Sequence, residues 1–270
     1  MRYFISINYD GTTFVGWQKQ PNGPSIQESL ERALSLLLGE EILVTGAGRT
    51  DSGVHAVNYI AHFDSDSPTI IENLSHFIYK INAIIGTKIA VNSIYPVSPT
   101  AHARYSAIER RYNYYLHTTK NPFLELYSHY FPRELNIEKM NRAAKLLVGR
   151  RDFTSMAKLH SSSSNNISTV SRAEWSIGSP PPPLWNLSPS SLNVDLSKDL
   201  LKFEIVADRF LRDMVRAIVG TLLKIGIGKE DVGWIEEVLR ERERGAAGDS
   251  VPAKGLFFVE VTYPPKLLKG

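Results

Sequence analysis

The run Gly46-Ala47-Gly48-Arg49-Thr50-Asp51-Ser52-Gly53-Val54-His55-Ala56 sets one acid, Asp51, two residues from one guanidinium, Arg49, in a stretch with three glycines. Glycine lets another molecule approach the main chain closely, so small residues gathered around one charged pair suit a substrate site. The same residues also suit a tight turn capped by an Asp. A second group is basic. Arg209, Arg212 and Arg216 recur at spacings of three and four, which places them on one face of a helix expected to start near Arg209. Leu211, Val215, Ile218 and Leu222 make the adjoining apolar face, and Asp213 is the lone acid near the stripe. Arg216 lies beside that apolar stripe rather than opposite it, and an Arg at the edge of a core usually has a carboxylate partner. Asp51 is one candidate. Gly220, inside the same helix, costs about 1 kcal/mol relative to Ala, so something should pack closely against it. A third group lies in residues 101–115, where Arg104, Arg110 and Arg111 outnumber Glu109 and sit among Tyr105, Tyr112, Tyr114 and Tyr115. Cations interleaved with aromatics can bind phosphates and stack bases; an edge strand with solvated charges would look the same. Tyr112 is either a half-buried strand residue or an aromatic platform with a phenol at its tip.

These groups need elements to hold them. Residues 2–9 alternate like a strand, with Tyr3, Ile5, Ile7 and Tyr9 on the apolar face and Arg2, Phe4, Ser6 and Asn8 on a mostly polar one. Ser25-Ile26-Gln27-Glu28 is a capping box, followed by Ile26, Leu30, Ala33, Leu34 and Leu37 at helical spacing and closed by Gly39. Residues 41–45 read as a second strand leading into the glycine run, 55–63 as a third, 71–85 as a helix and 89–95 as a fourth strand. That order is β-α-β-β-α-β, the split βαβ or ferredoxin-like pattern. The second half roughly repeats it: a Tyr-rich strand at 111–117, a helix capped by Asn136 and ended by Gly149, strands at 171–177 and 200–207, helices at 211–225 and 231–240, and a closing strand at 256–263. The expected fold is therefore α+β. It has two ferredoxin-like halves, 1–108 with the glycine run and 109–270 with the basic helix. Their mainly antiparallel sheets are flanked by helices, and a cleft lies between them. Residues 161–193, rich in Ser and Pro, read as flexible loop apart from a short strand around Trp175.

Bulk properties set the class. The chain has 270 residues, long enough for one large domain or two smaller ones. It has no Cys, hence neither a disulfide framework nor a thiolate metal site. No run approaches the ~20 apolar residues of a membrane span, and the opening residues lack the apolar run of a secretory signal. The expected location is the cytoplasm. Its 31 basic and 28 acidic residues leave a net charge of +3, mildly basic and weak evidence for nucleic acid on its own.

The motifs in their order resemble one family. Tyr9-Asp10-Gly11-Thr12 with Gly16-Trp17-Gln18 and Ser25-Ile26-Gln27 looks like its opening. Gly48 to Ala56 looks like its catalytic loop. Arg110-Arg111-Tyr112 and Tyr114, Asp152-Phe153-Thr154-Ser155, Met214-Val215-Arg216 with Ile218-Val219-Gly220, and Gly255-Leu256 complete the series. The family is the TruA type of tRNA pseudouridine synthase, and the resemblance runs from Tyr3 to Tyr263. It implies isomerisation of uridine to pseudouridine in the anticodon stem-loop of tRNA, at positions 38 to 40, without cofactor or metal, by a homodimer. It also implies roles. Asp51 matches the nucleophile, Tyr112 the catalytic tyrosine that stacks on the target uracil and can take the C5 proton, and Arg216 the basic residue that pairs with the catalytic Asp. Arg49 matches an Arg that holds RNA around the flipped nucleotide, and Leu256 an apolar residue lining the pocket. Arg110, Arg111, Arg209 and Arg212 are expected to contact phosphates. Attack of Asp51 on C6 of the base, attack on C1′ of the ribose, and an elimination route all remain open.

Two departures stand out. Relatives often carry a Cys and Arg pattern after the position of Ser155, where this chain has Met156-Ala157-Lys158-Leu159-His160, and the Pro-rich stretch 179–183 looks inserted. Rival readings are weaker. Asp51-Ser52-Gly53 has the tripeptide of an aspartic protease, but such sites need two carboxylates sharing a proton, and no second such tripeptide exists. The glycine spacing G-x-G-x-x-x-x-G does not match a dinucleotide loop. A non-catalytic RNA binder on the same fold would not need Asp51, Tyr112 and Arg216 intact.

Overall fold

The computed structural model describes residues 1–158, 165–184 and 199–268. The chain divides into two compact units, Met1–Arg110 with Phe258–Gly270, and Arg111–Phe257. The sequence reading divided it at 108/109 and assigned everything beyond to the second half; in the structure the closing strand crosses back into the first unit.

In the first unit, β1 (Arg2–Tyr9) pairs antiparallel with both β3 (His55–Asp64) and β4 (Ile89–Pro96), while β2 (Thr45–Gly46) pairs with β3. This is the strand order of the expected split βαβ pattern. Helix α1 (Ile26–Leu38) begins at Ser25, whose side chain accepts from the Glu28 N–H, and ends at Gly39 in the left-handed region, as the capping box predicts. Three details differ from the sequence reading. Residues 41–44 are not a strand, because side chains of α1 and its flank take their backbone groups. Ser35 Oγ accepts from Ile42 N, Glu31 Oε1 accepts from Val44 N, and Gln27 Nε2 donates to Val44 O. The helix expected at 71–85 is split into α2 (Thr69–Glu72) and α3 (Leu74–Ile84), because Asn73 leaves the helical region to cap α3 through its side chain. The β1 face containing Phe4 is buried as well as the other. Phe4 packs with Ile60, Val97, Ala101, Ala103 and Tyr263 in one apolar cluster. The last strand, β10 (Leu256–Thr262), follows β3 in the sheet order.

The second unit contains β5 (Glu109–His117), β9 (Leu200–Ala207), β8 (Ile167–Ile177) and β7 (Gly149–Asp152), in that spatial order. β7–β8 and β8–β9 are antiparallel, and the short β6 (His129–Tyr130) runs parallel to β5. The sheet is thus mostly antiparallel and the fold α+β, as expected. Helix α4 (Ile137–Lys145), capped by Asn136, packs on β8 and on α5 (Met214–Gly226); α6 (Trp234–Glu241) follows. Gly149 does not end α4 but opens β7, a strand the sequence reading missed along with β6. The serine run at 161–164 and residues 185–193 of the expected loop lie outside the described residues. No helix among the described residues is long and apolar enough to cross a membrane.

Candidate active site

The loop carrying Asp51 is fastened at almost every residue. Ala47 N donates to Ile60 O at 2.8 Å. The Tyr59 hydroxyl donates to Gly48 O and accepts from Gly48 N. Tyr9 and Thr50 share a hydrogen bond between their hydroxyls at 2.9 Å, and Trp17 N donates to Thr50 O at 3.1 Å. Ser52 Oγ donates to Phe14 O, and Val54 N donates back to Asp51 O. Tyr59 itself is immobilised between Trp17 and Phe258, with ring centroids 4.4 and 4.9 Å away. Gly16 explains how the opening motif reaches this loop. A Cβ there would stand 2.5 Å from Thr50 O and 3.1 Å from the Asp51 carbonyl carbon, and the residue has φ +104. Only glycine satisfies both conditions. Asp51 is half-buried and Arg49 exposed.

Arg110 has a use that its position in an Arg-Arg-Tyr motif does not reveal. It is 9% exposed. Its Nε and Nη2 both donate to Ala47 O, Nη1 donates to Ala107 O, and Nη2 also donates to Arg104 O. The guanidinium therefore ties the glycine loop to the turn before β5.

In the second unit, Tyr112 and Tyr114 share one face of β5, with Arg111 on the other. The Tyr112 ring meets Phe210 edge-on at 5.0 Å. Tyr114 is fully buried and donates to Pro252 O at 2.7 Å. Burial lifts its phenol well above the usual range, against the opposing pull of Arg216. Arg216 Nε donates to the neighbouring carbonyl, Val251 O, at 2.7 Å. Gly255 lies so close that a Cβ would be 2.8 Å from the Tyr114 ring. The fold thus gathers motifs at 114, 216 and 255 around one short stretch of backbone, 251–255, that ends in a 3-10 turn. Leu256, 5% exposed, opens β10 beside them. The expected close packing at Gly220 is also present: a Cβ there would be 1.8 Å from Asp249 O.

The basic stripe is different from the expectation. Helix α5 starts at Met214, not near Arg209, because Asp213 takes the left-handed conformation with φ 68 and interrupts the helical path. Arg209 and Arg212 precede the helix, so the shared face with Arg216 does not exist. Arg209 Nη1 donates to Asn165 Oδ1 at 3.2 Å; Arg212 is exposed, and its carbonyl accepts from Lys158 N. Within its own unit Arg216 has a carboxylate at 2.9 Å, Asp213 Oδ1. Among the described residues no group of three or more His, Cys, Asp or Glu is placed to hold a metal ion.

A family model described as tRNA pseudouridine synthase matches residues 143–264. A tRNA pseudouridine synthase A of Parabacteroides distasonis is 43% identical over 266 residues, covering 98% of this chain and 97% of its own. Relatives of the same name from Bacteroides thetaiotaomicron and Bacteroides fragilis are 43% and 42% identical, covering 97% and 99% of this chain and 91% and 98% of theirs. The chain belongs to the tRNA pseudouridine synthase A family. As a pseudouridine synthase it is an isomerase. The sequence reading of this synthase missed Phe210 as the ring that sets Tyr112, and Asp213 as a companion of Arg216. The signal for Asp213 was present, since Asp tolerates the left-handed region better than most residues. For Phe210 only its place beside the basic run was visible.

Proposed function

We propose that this synthase converts uridine to pseudouridine in the anticodon stem-loop of tRNA, at positions 38 to 40, with Asp51 as the nucleophile. Tyr112 stacks on the target uracil, and Leu256 forms the apolar wall of its pocket. Arg216 keeps the Asp51 carboxylate ionised, and Arg49 holds the RNA around the extruded nucleotide. Arg111, Arg209 and Arg212 contact phosphates. Arg110 is assigned instead to holding the Asp51 loop, because its three guanidinium nitrogens donate to backbone carbonyls. The enzyme works as a homodimer in the cytoplasm.

The chemistry asks these groups for specific things. The base leaves its stack at a cost of about a few kcal/mol, which an aromatic face and an apolar wall offset. The uracil then detaches at N1, turns, and rejoins the ribose through C5: C1′–N1 and C5–H break, C1′–C5 and N1–H form, Tyr112 takes the C5 proton, and no oxidant or reductant is needed. A carboxylate nucleophile must be charged while partly dry. Burial raises a carboxyl pKa and a guanidinium lowers it, which is the task given to Arg216.

What carries this reading is the near-full-length identity to relatives named tRNA pseudouridine synthase A, with Asp51 intact in the Gly48 to Ala56 motif. Mapping pseudouridines in tRNA incubated with the protein tests it. New pseudouridines are expected only at positions 38 to 40, and Asp51→Asn should bind tRNA yet form none. Modification elsewhere would refute the positional assignment, and an active Asp51→Asn would refute the nucleophile. Light scattering of the purified chain tests the homodimer.

A further inference from the structure

We propose that Asp213 is a positioning residue that holds the Arg216 guanidinium in its working orientation, with Ser250 and Arg244 bracing it from behind. The inference rests on the reading of Arg216 as part of the catalytic machinery. It starts from an oddity at the head of α5. Asp213 occupies the N-cap position, where an Asp side chain ordinarily accepts a hydrogen bond from the first turn of its helix. Here it makes no such bond, and its backbone sits in the left-handed region at φ 68 and ψ −4. Both features are unfavourable for the helix taken alone.

The carboxylate is turned elsewhere. Oδ1 lies 2.9 Å from Arg216 Nη1, and Oδ2 accepts from Ser250 Oγ. Ser250 Oγ in turn accepts from Arg244 Nη2 at 2.8 Å, while Arg244 Nη1 donates to Gly248 O at 2.9 Å. Gly248 N donates to Thr221 Oγ1, on α5 itself, at 2.9 Å. The chain of contacts therefore closes on the helix that bears Arg216. Arg216 is gripped on two sides, by the Asp213 carboxylate at Nη1 and by Val251 O at Nε. One directional hydrogen bond at Nε and one charge contact at Nη1 together hold the guanidinium, which the ion pair alone would leave free to swing.

The charges that face Asp213 from this network are Arg216 and Arg244. The carboxylate lies between a guanidinium given to catalysis and one given to structure. Its hold on Arg216 Nη1 is an ionic contact rather than a hydrogen bond, so Asn keeps a partner for Ser250 Oγ but loses the charge that faces the guanidinium. Gly removes the side chain while tolerating the left-handed backbone.

The test is steady-state and single-turnover pseudouridine formation on tRNA by Asp213→Gly, Asp213→Asn, Arg216→Lys and the Asp213→Gly/Arg216→Lys pair. We expect Asp213→Gly to lower kcat about tenfold to a hundredfold, the range for a misplaced catalytic group, while KM for tRNA stays within about a factor of two. Asp213→Asn, which keeps the side chain but not its charge, should also lower kcat, by less than Asp213→Gly. In the double variant the loss should be no greater than in Arg216→Lys, because a residue acting only through another adds nothing once that other is altered. Should Asp213→Gly fail to fold by circular dichroism, Ser250→Ala carries the same kcat expectation, since it removes the brace and leaves the left-handed residue. A kcat for Asp213→Gly equal to that of the parent, with Arg216→Lys impaired, overturns the proposal and spares Arg216. Multiplicative losses in the pair, or a raised KM at constant kcat, also overturn it. A wild-type rate for Arg216→Lys and for Arg216→Met removes Arg216 from the machinery, and the proposal with it.

Discussion

Around Asp51 the main chain is pinned through its own backbone groups: by hydroxyls of Tyr9 and Tyr59, by backbone amides, by the Arg110 guanidinium on Ala47 O, and by a glycine pressed against the loop. Around Arg216 the fastening is ionic, a carboxylate on one side and a backbone carbonyl on another. The difference follows from what each must present. A loop bearing an acid can be held by its own polar backbone. An Arg reaches out on a long flexible stem, so the stem's end must be held. The two regions should therefore fail in different ways.

Charge removal gives the largest expected effect. Arg216→Met should reduce kcat by at least about a hundredfold, as for loss of a group that stabilises charge in the transition state, and move the acid limb of the pH–rate profile to higher pH. An unmoved limb would mean that Arg216 does not set the charge of Asp51. Steric intrusion comes next. Gly16→Ala places a methyl 2.5 Å from Thr50 O on a backbone at φ +104. It should lower stability by roughly 1–3 kcal/mol and kcat about tenfold by shifting Asp51. Gly220→Ala meets Asp249 O instead and should disturb the 249–251 backbone that grips Arg216. A kcat unchanged in both variants, with only the melting temperature lowered, would show that neither glycine positions chemistry.

Arg110 and Arg212 sharpen the same contrast at lower amplitude. Arg212→Ala should flatten the log–log salt dependence of tRNA binding by about one unit and leave the melting temperature in place. Arg110→Met should do the opposite, because its donors serve Ala47, Ala107 and Arg104. Equal salt slopes for the two would return Arg110 to the phosphate-binding set. The smallest effect concerns acid. Burial pushes His62 in the first unit and His117 in the second down to about 4 from the ordinary 6.5. A folded pKa below the unfolded one means that the unfolded chain binds more protons. The stability these groups contribute is present in full above pH about 6.5 and lost as pH falls towards 4. The melting temperature should drop between pH 7 and pH 5, less steeply in His117→Gln; a flat profile would contradict the burial argument.

Much of this was legible in the residues. The alternation of 2–9, the box at Ser25 and the cap at Asn136 each encode structure locally, and each element formed where they indicated. The strand expected at 41–45 failed because α1 side chains satisfy that backbone, a tertiary fact invisible in an alternating pattern. The helix expected from 211 failed because a helical repeat of Arg says nothing about one left-handed residue between them. Asp51 could be singled out from its loop alone. The fixings of that loop come from Tyr9, Gly16, Tyr59 and Arg110, which lie up to about sixty positions away, and spacing rules do not reach that far.

Tyr263 completes the apolar cluster around Phe4 and donates to Ala103 O at 2.6 Å. During vectorial synthesis, the strand that carries Phe4 must therefore wait on a ring added more than two hundred residues later. At about 5–20 residues per second, the nascent amino-terminal layer spends many seconds with an open flank. Ribosome-bound chains stalled before this tyrosine should thus be more readily cut by protease within the first hundred residues than released ones.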